Sequence, residues 1–285
     1  CDYDVLFPKT ILMACDIKKI KTISNQERYL ANFMMPPLFY NYYLVTGKNY
    51  EQFFKNSGYI VDKYFITGTF RNTKYLNDKK IKNRKEIIRL NKIKKKKILC
   101  LGTIIADKND ENLGEDGTTI ENNVNFLTQI INLAKKFKNL HFIIRYKIDR
   151  NYDLLPKELL ENIKIAENIE LNKVENKINI YELVNLSSLI IGRYTSLIEE
   201  SLSDGVDAII YDEINFWGSA SAHHPNSNIL RAKNGDDLTK YINTHVKGGD
   251  LYGQNFKKEL KNLFQKNFKN ETTKFKVQKI LNELI

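Results

Sequence analysis

Four short, isoleucine-rich apolar runs in the second half of the chain constrain its fold more than any other feature. Each run is bounded by Gly, Asp or Asn, which is typical of buried parallel strands. Amphipathic stretches alternate with the runs, and this alternation predicts a doubly wound parallel sheet. The predicted strands are KILCLGT (97–103), HFIIRYK (141–147), SLIIG (188–192) and DAIIYDE (207–213).

Stretches between or beside these strands have the residue spacing of helices. In the longest one, Val124, Leu127, Ile131 and Ala134 recur every three or four residues, and lysines follow at the C-terminal end, which is typical of an amphipathic helix. The predicted helices are NNVNFLTQIINLAKKF (122–137), NIYELVNLSS (179–188) and SLIEESLSDG (196–205).

The start of the chain repeats this alternation in shorter form. A helix that ends at Gly58 is predicted between strands, because glycine favours the conformation that terminates a helix. The predicted strands are TILMACD (10–16), YYLVTG (42–47) and DKYFITGTF (62–70), and the predicted helix is NYEQFFKNSG (49–58).

A highly charged stretch separates the two halves, and two amphipathic helices separated by KNET are predicted at the end. We therefore predict an α/β protein of two units joined by a linker. The chain begins at Cys1 without an initiator Met, so we expect the first unit to be incomplete at its N-terminus. The predicted domains are 1–80, a basic linker 81–96, a ligand-binding domain 97–270 and a C-terminal helix 271–285.

The charge balance favours an anionic partner. Lys and Arg outnumber Asp and Glu by 45 to 34, a formal charge of +11, which suits nucleic acid, a lipid surface or a phosphorylated substrate. The alternative is a general background of heavy lysine use. We recognise no nucleic-acid-binding module and expect no specific nucleic-acid partner. The absence of G-x-x-x-x-G-K-[ST] and of an opening G-x-G-x-x-G argues against nucleotide kinases and NAD dehydrogenases.

Three further features concern the compartment. No apolar run approaches the roughly 18 to 20 residues that span a bilayer, and no signal peptide opens the chain. The cysteines Cys1, Cys15 and Cys100 lack the spacing of metal ligands. We expect a cytoplasmic protein.

The segment after the third predicted strand combines hydroxyl groups with the start of a helix. Tyr194, Thr195 and Ser196 lie where the unpaired backbone N–H groups of that helix would meet a phosphate. The alternative is a plain N-cap without a ligand, since Ser and Thr are favoured caps. Glu199 and Glu200 follow in the first turn, where they would accept sugar or ribose hydroxyls or only complement the helix dipole.

Two other strand ends carry candidate donor-binding residues. Arg145 and Lys147 are cations two residues apart at the end of the second predicted strand, a pattern that suits a diphosphate or carboxylate clamp or simply a solvated edge. Gly102 and Thr103 open a long polar loop after the first predicted strand, and loops of this length are often functional.

Catalytic groups are harder to assign. Glu115 and Asp116 lie between glycines in that polar loop, as weak candidates for a general base or as an ordinary turn. His223 and His224 are candidates for a base or a phosphate contact. We predict no metal site, because no third ligand stands at a suitable spacing.

The strand-end residues resemble a known family. The segment IIGRYTSLIEE (190–200) is similar to the Asp-Tyr-Ser-Ser motif of teichoic-acid polyol-phosphate polymerases and related capsule transferases of the GT-B superfamily, with Arg193 in place of the aspartate. IIYDEINFW (209–217) resembles the next strand of that family, and KYFITGTFRNTKYL (63–76) its Thr-Gly-x-x-Arg-x-Asp stretch. Kdo and sialic acid transferases also have GT-B-like folds, and the latter an acidic-acidic-Gly motif similar to EDG (115–117).

The sequence also departs from this family at two places. Ala14 and Cys15 stand where the family has His-Gly, and Tyr146 and Lys147 stand where it has His-Pro. A relative that binds glycan or nucleotide without turnover therefore stays open as an alternative, beside a CDP-polyol phosphotransferase and a nucleotide-sugar 2-epimerase.

The resemblance implies two Rossmann-like domains and a metal-independent glycosyltransferase with no bound cofactor. Such an enzyme transfers a sugar from a CMP-, CDP- or UDP-linked donor to a glycan or lipid-linked acceptor, in the synthesis of capsule, lipopolysaccharide or teichoic-acid-like polymers. It implies donor binding by the second domain, a final helix that crosses back to the first, and peripheral contact with the anionic inner face of the plasma membrane.

Overall fold

The structure is a computed structural model of the whole chain, and it divides into two compact units. One unit comprises 1–79, 220–228 and 252–285, and the other comprises 80–219 and 229–251. Within the described residues, no helix is long and apolar enough to cross a membrane. The described residues are 8–26, 39–68, 96–103, 105, 119–176, 179–193, 195–203, 205–213, 228–253, 255–256, 259 and 273–284.

The first unit contains a parallel sheet with strand order β1-β2-β3. Its apolar residues gather where β2 and helix α2 meet, with Tyr43, Tyr50 and Phe54 buried. The described elements of this unit are α1 (Lys9–Ile17), β1 (Ile23–Asn25), β2 (Phe39–Val45), α2 (Lys48–Asn56), β3 (Ile60–Ile66) and a C-terminal helix (Thr273–Leu284).

Aromatic rings make up most of this core. The ring of Tyr43 lies edge-on to those of Phe54 and Tyr64, with centroids 5.3 and 6.1 Å away. Tyr59 lies 4.7 Å from Phe54 between centroids. Edge-on contacts suit the charge distribution of aromatic rings and add stabilisation beyond the area that they bury.

The second unit contains a larger parallel sheet, and helices pack against both of its faces. Its described elements are β4 (Lys96–Leu101), α3 (Ile120–Lys136), β5 (Leu140–Arg145), α4 (Arg150–Asp153), α5 (Lys157–Ile165), β6 (Ile169–Leu171), a 3₁₀ turn (Val174–Asn176), α6 (Ile180–Leu186), β7 (Leu189–Gly192), α7 (Leu197–Ser203), β8 (Asp207–Tyr211), β9 (Arg231–Ala232) and α8 (Gly235–Val246). The C-terminal helix of the first unit is accordingly α9.

The strand order of this sheet is β6-β5-β4-β7-β8-β9, with all neighbours parallel. From β4 the chain adds strands on one side, returns to the other side of β4 and continues outward with β7. This is the order of a doubly wound sheet, and its direction reverses between β4 and β7. The sheet therefore has a topological switch point at the carboxyl ends of these two strands.

Helix α3 follows β4 and shows why this part of the sequence is helical. The Thr119 side chain accepts a hydrogen bond from the Asn122 N–H and caps the first turn. Phe126, Leu127 and Ile130 are fully buried against the sheet, and Lys135 and Lys136 complement the dipole at the last turn.

The strands predicted in the second half of the chain are confirmed as β4, β5, β7 and β8, and the three predicted helices are confirmed as α3, α6 and α7. In the first unit, β2, α2 and β3 confirm the predictions. Gly58, at the end of α2, has a φ of 80°, which glycine adopts without strain.

The prediction that TILMACD (10–16) is a strand was wrong, since this segment belongs to α1. Leu, Met and Ala are strong helix formers, and only Leu12 of this helix is buried, so it lacks the burial of a central strand. After the end of the helix at Ile17, Lys19 has a φ of 56°, and the Ile20 N–H donates a hydrogen bond to the Cys15 carbonyl.

The predicted domains stay a prediction, and the two compact units are divided differently. Residues 220–228 and 252–270 group with the first unit, whereas the prediction placed them in the second. The predicted linker, 81–96, lies outside the described residues except for Lys96, where β4 begins.

A polar ladder joins the edge strand β6 to β5. His141 Nε2 lies 3.2 Å from Glu170 Oε2, and Asn172 donates to the other carboxylate oxygen at 3.1 Å. Arg145 Nη1 donates to Asn172 Oδ1 at 2.8 Å. The hydrogen bond with His141, and that with Asn172, hold the pKa of the Glu170 carboxyl below its ordinary value.

We expect this ladder to make stability sensitive to acid. A depressed carboxyl pKa contributes stability above the unfolded pKa of about 4.3, and this contribution is lost as pH falls through the folded pKa. From about pH 6 to about pH 3, the free energy of unfolding in urea should fall more in the wild type than in Glu170→Gln. The difference between the two falls should be less than about 1 kcal/mol, because the pair is partly exposed. The exposed Glu161 on α5 supplies the control, Glu161→Gln, which should follow the wild type. Equal pH dependence of wild type and Glu170→Gln would contradict this expectation.

Candidate functional site

The switch point brings three strand ends together. In the strand register Leu101 lies opposite Arg145 of β5 and opposite Gly192 of β7. The next residues, Gly102, Tyr146 and Arg193, therefore follow neighbouring strands at one level. In open parallel sheets, ligands bind at this place, outside the carboxyl ends of the strands. The candidate site is this edge of the second sheet.

Gly102 is required by the side chain of Tyr146. A Cβ atom built on Gly102 would overlap the Tyr146 ring, so the ring lies directly against the backbone at the end of β4. Tyr146 is 1% exposed, and its hydroxyl donates to Asn123 Oδ1 at 3.3 Å. Burial is the main cause that raises the pKa of Tyr146, so it stays a neutral donor.

Thr103 is part of the same buried network. Its hydroxyl exchanges a hydrogen bond with the Asn123 side chain at 3.2 to 3.3 Å, and its carbonyl accepts from Asn151 Nδ2 at 3.3 Å. Asn123 also donates to Thr119 O at the start of α3. These bonds fix the segment after β4 to the helix that follows it and to the segment after β5.

Arg193 places a positive charge at the end of β7. Its side chain is 0% exposed, and Nη2 forms an ion pair of 3.1 Å with Oε1 of Glu213, which follows β8 and is 14% exposed. Tyr211 hydrogen-bonds to Glu213 as well. Burial raises the pKa of the Glu213 carboxyl above its ordinary value, while the Arg193 guanidinium opposes that rise.

Further carboxylates lie close in sequence to this pair and are buried too. Glu199 and Glu200 in α7 are 1% and 2% exposed, and Asp212 is 1% exposed. Asp212 also acts on Arg231, whose pKa is lowered by burial, an effect that the Asp212 charge opposes. The prediction that Glu199 accepts ligand hydroxyls stays a prediction, and its side chain is almost fully covered in this structure.

Thr195 caps α7. Its hydroxyl accepts a hydrogen bond from the Leu197 N–H at 3.3 Å, and the Ser196 carbonyl accepts from the Glu200 N–H at 3.1 Å. Both side chains are half-buried. The Thr195 hydroxyl therefore satisfies the first N–H of a helix of seven residues, which is the kind of contact that the capping alternative requires. A contact of Thr195 or Ser196 with phosphate stays a prediction.

The sequence pattern suggested two exposed cations at the end of β5, and exposure was wrong for Arg145. This side chain is 7% exposed, and Nη1 donates to both the carbonyl and Oδ1 of Asn172. The sequence interpretation did not include β6, which brings Asn172 within reach. Lys147 is exposed, as expected.

The remaining predicted site residues lie outside the described residues. They are Tyr194, Glu115, Asp116, His223 and His224. Among the residues that the structure describes, no group of three His, Cys, Asp or Glu side chains is arranged to hold a metal ion.

Sequence reasoning missed Glu213, Asn123 and the structural part played by Tyr146, and it treated Arg193 only as a departure from a family motif. One signal was available: Arg193 and Glu213 follow apolar strands almost directly, where ligand-facing residues of parallel sheets lie. The pairing of Asn123 with Tyr146 joins residues 23 positions apart and carries no such signal.

The fold is shared with solved structures. S. aureus MnaA, in a structure with UDP, has a TM-score of 0.52 at 13% identity, with 95% of this chain and 69% of that chain covered. A Listeria monocytogenes protein assigned to the UDP-N-acetylglucosamine 2-epimerases has a TM-score of 0.51 at 15% identity, with 86% and 59% covered. A single-substitution variant of the wall teichoic acid polymerase TagF has a TM-score of 0.50 at 15% identity, with 86% and 59% covered. The chain has the GT-B fold.

These likenesses concern the fold alone. The chain spans 59% of the length of the Listeria and TagF chains. No protein-family model matches the sequence, and no curated protein sequence matches it.

The contact of Gly102 with Tyr146 can be tested by substitution. We expect Gly102→Ala to lower the free energy of unfolding by about 1–3 kcal/mol, because the added methyl group must displace a packed ring. Gly253→Ala is the matched control, since a Cβ there meets nothing within 4 Å. Urea unfolding measures both. If the two variants are equally stable, the ring does not lie where the structure puts it.

Capping by Thr195 and a contact with phosphate have different consequences. We expect Thr195→Ala to lower the free energy of unfolding by about 1 kcal/mol through loss of the cap. A phosphate contact would also weaken nucleotide binding. A higher Kd for nucleotide in Thr195→Ala/Ser196→Ala than in the wild type, measured by calorimetry on the folded proteins, would indicate such a contact. Thr195→Ser keeps the hydroxyl and serves as the control. If Thr195→Ala is as stable as the wild type, the Thr195 hydroxyl does not stabilise the start of α7.

Proposed function

We propose that the chain is a nucleotide-sugar-dependent enzyme whose second unit binds the diphosphate of its donor at the switch point between β4 and β7. The observation that carries this proposal is the buried guanidinium of Arg193 at the end of β7. A doubly wound sheet binds ligands at this position, and a guanidinium recognises phosphate oxygens through several N–H groups in a fixed plane. The UDP in the MnaA structure supports a nucleotide diphosphate as ligand.

The reaction that we propose is transfer of a sugar from this donor to a cell-surface glycan or lipid-linked acceptor. The resemblance of the RYTS segment (193–196) to teichoic-acid and capsule transferases supports it, as does the fold shared with TagF. A fixed cation at the donor diphosphate would stabilise the charge of the departing nucleotide without a metal ion. The excess of Lys and Arg suits an anionic acceptor at the inner face of the plasma membrane, and we include a cytoplasmic location in the proposal.

A second candidate function is a nucleotide-sugar 2-epimerase. The TM-score of 0.51 with the Listeria protein favours it as much as the TagF likeness favours transfer. An epimerase would use the same donor pocket, and it would need an acid–base group beside the sugar instead of an acceptor.

Thermal unfolding tests whether the site binds nucleotide at all. We expect UDP or CDP to raise the unfolding temperature of the wild type, because a ligand that binds only the folded state at about 100 times its Kd stabilises it by about 2.7 kcal/mol. CMP and GDP complete the panel, and uridine, which lacks phosphate, is the control. Failure of every nucleotide to shift the transition would refute the proposal.

Radiolabelled donor separates transfer from epimerisation. A transferase releases free nucleotide and gives a labelled polymer only when acceptor is present. An epimerase converts the nucleotide-sugar into its epimer without acceptor and without release of nucleotide. We expect acceptor-dependent release, measured by chromatography of the labelled products. Acceptor-independent formation of an epimer would assign the second candidate instead.

A further inference from the structure

The ion pair between Arg193 and Glu213 joins the two strand ends that flank one side of the switch point. Arg193 follows β7 and Glu213 follows β8, and these strands are paired in register from Leu189 to Gly192. The guanidinium has no exposed surface, and the carboxylate is 14% exposed. A buried charge is costly without a partner, so each group of this pair stabilises the charge of the other.

Charged and titratable groups from several described elements act on Glu213. Arg193 follows β7, Tyr211 and Asp212 end β8, and Glu121 lies in the first turn of α3. Arg193 also faces Tyr146, which follows β5. Of these groups, Arg193 is the cation and the other carboxylates repel Glu213. Burial raises the pKa of the Glu213 carboxyl, and the Arg193 guanidinium, with a hydrogen bond from Tyr211, opposes that rise.

We propose that Glu213 controls anion binding at this site: its carboxylate holds the guanidinium of Arg193 until a diphosphate takes the place of the carboxylate. This inference rests on the proposed function, because it assumes that the ligand diphosphate reaches Arg193. No covalent step is involved. One anionic partner of a buried guanidinium is exchanged for another. The released Glu213 carboxylate takes up a proton or turns toward the solvent that it already contacts.

This exchange makes Glu213 a determinant of specificity. A ligand with one weak negative charge gains little by replacing a carboxylate that is already in contact. A diphosphate offers more charge and several acceptor oxygens to the planar N–H groups of Arg193. A neutral nucleoside offers neither, so the internal ion pair selects against it. The pair also gives the guanidinium an anionic partner between ligand-binding events.

The proposal predicts that neutralising Glu213 strengthens anion binding. In Glu213→Gln the side chain keeps its shape but loses its charge, so the ligand no longer competes with a carboxylate. We expect roughly tenfold lower Kd for UDP and for inorganic pyrophosphate, of the order expected for one charge-assisted hydrogen bond. Isothermal calorimetry measures both ligands. Pyrophosphate tests recognition of the diphosphate without the base, and Glu161→Gln on the exposed face of α5 is the charge-matched control.

A second variant guards against loss of folding in Glu213→Gln, in which Arg193 loses the carboxylate of this pair. The double variant Arg193→Gln/Glu213→Gln removes both charges of the pair together. We expect it to fold, as judged by circular dichroism and urea unfolding, and to bind UDP and pyrophosphate at least tenfold more weakly than the wild type. Binding by the double variant as tight as that of the wild type would overturn the proposal.

The outcomes separate this inference from the proposed function. If the wild type binds UDP and Glu213→Gln binds it equally or more weakly, the inference is wrong and the proposed function stands. If the wild type binds UDP and Glu213→Gln binds it about tenfold more tightly, the inference and the proposed function are both supported. If only Glu213→Gln binds UDP and pyrophosphate, both are wrong for the native chain, because no diphosphate displaces the native carboxylate. If neither protein binds either ligand, both the inference and the proposed function are wrong.

Discussion

The central position of β4 is the constraint on which the second unit depends. Its backbone pairs with β5 on one side and β7 on the other, with Leu101 level with Arg145 and with Gly192. Because parallel neighbours end at the same edge of a sheet, this pairing collects the residues after each strand at one place. The contact of Tyr146 with Gly102 and the approach of Arg193 both follow from that register.

The same place combines dense packing with buried charge. Tyr146, Asn123 and Thr103 form a hydrogen-bonded network that follows β4 and β5, while Arg193 and Glu213 form an ion pair between the ends of β7 and β8. Such a pair adds little stability compared with apolar residues of the same volume, whereas loss of one partner is strongly destabilising. The buried ion pair beside the switch point therefore contributes little to folding, and for this reason both proposals assign it to ligand recognition.

Local pattern predicted much of the fold. The isoleucine-rich runs at β4, β5, β7 and β8 could be recognised because a strand covered on both faces is apolar along its length. The same rule failed for α1, whose apolar residues are mostly exposed, because an apolar run alone does not distinguish a strand from a helix. The short strand β6 has too few residues for a pattern, and without it the burial of Arg145 could not be foreseen.

The sequence alone determined the order of most strands and helices along the chain, and which strand ends carry polar groups, because these depend on periodicity and on neighbouring residues. Only the tertiary structure decided the pairing of β4 with β7, and with it the meeting of Gly102 with Tyr146 and of Arg193 with Glu213. Those contacts join residues that lie 20 or more positions apart. Nothing in local periodicity encodes which distant strand becomes a neighbour, since that choice is made by the packing of the whole sheet and its helices.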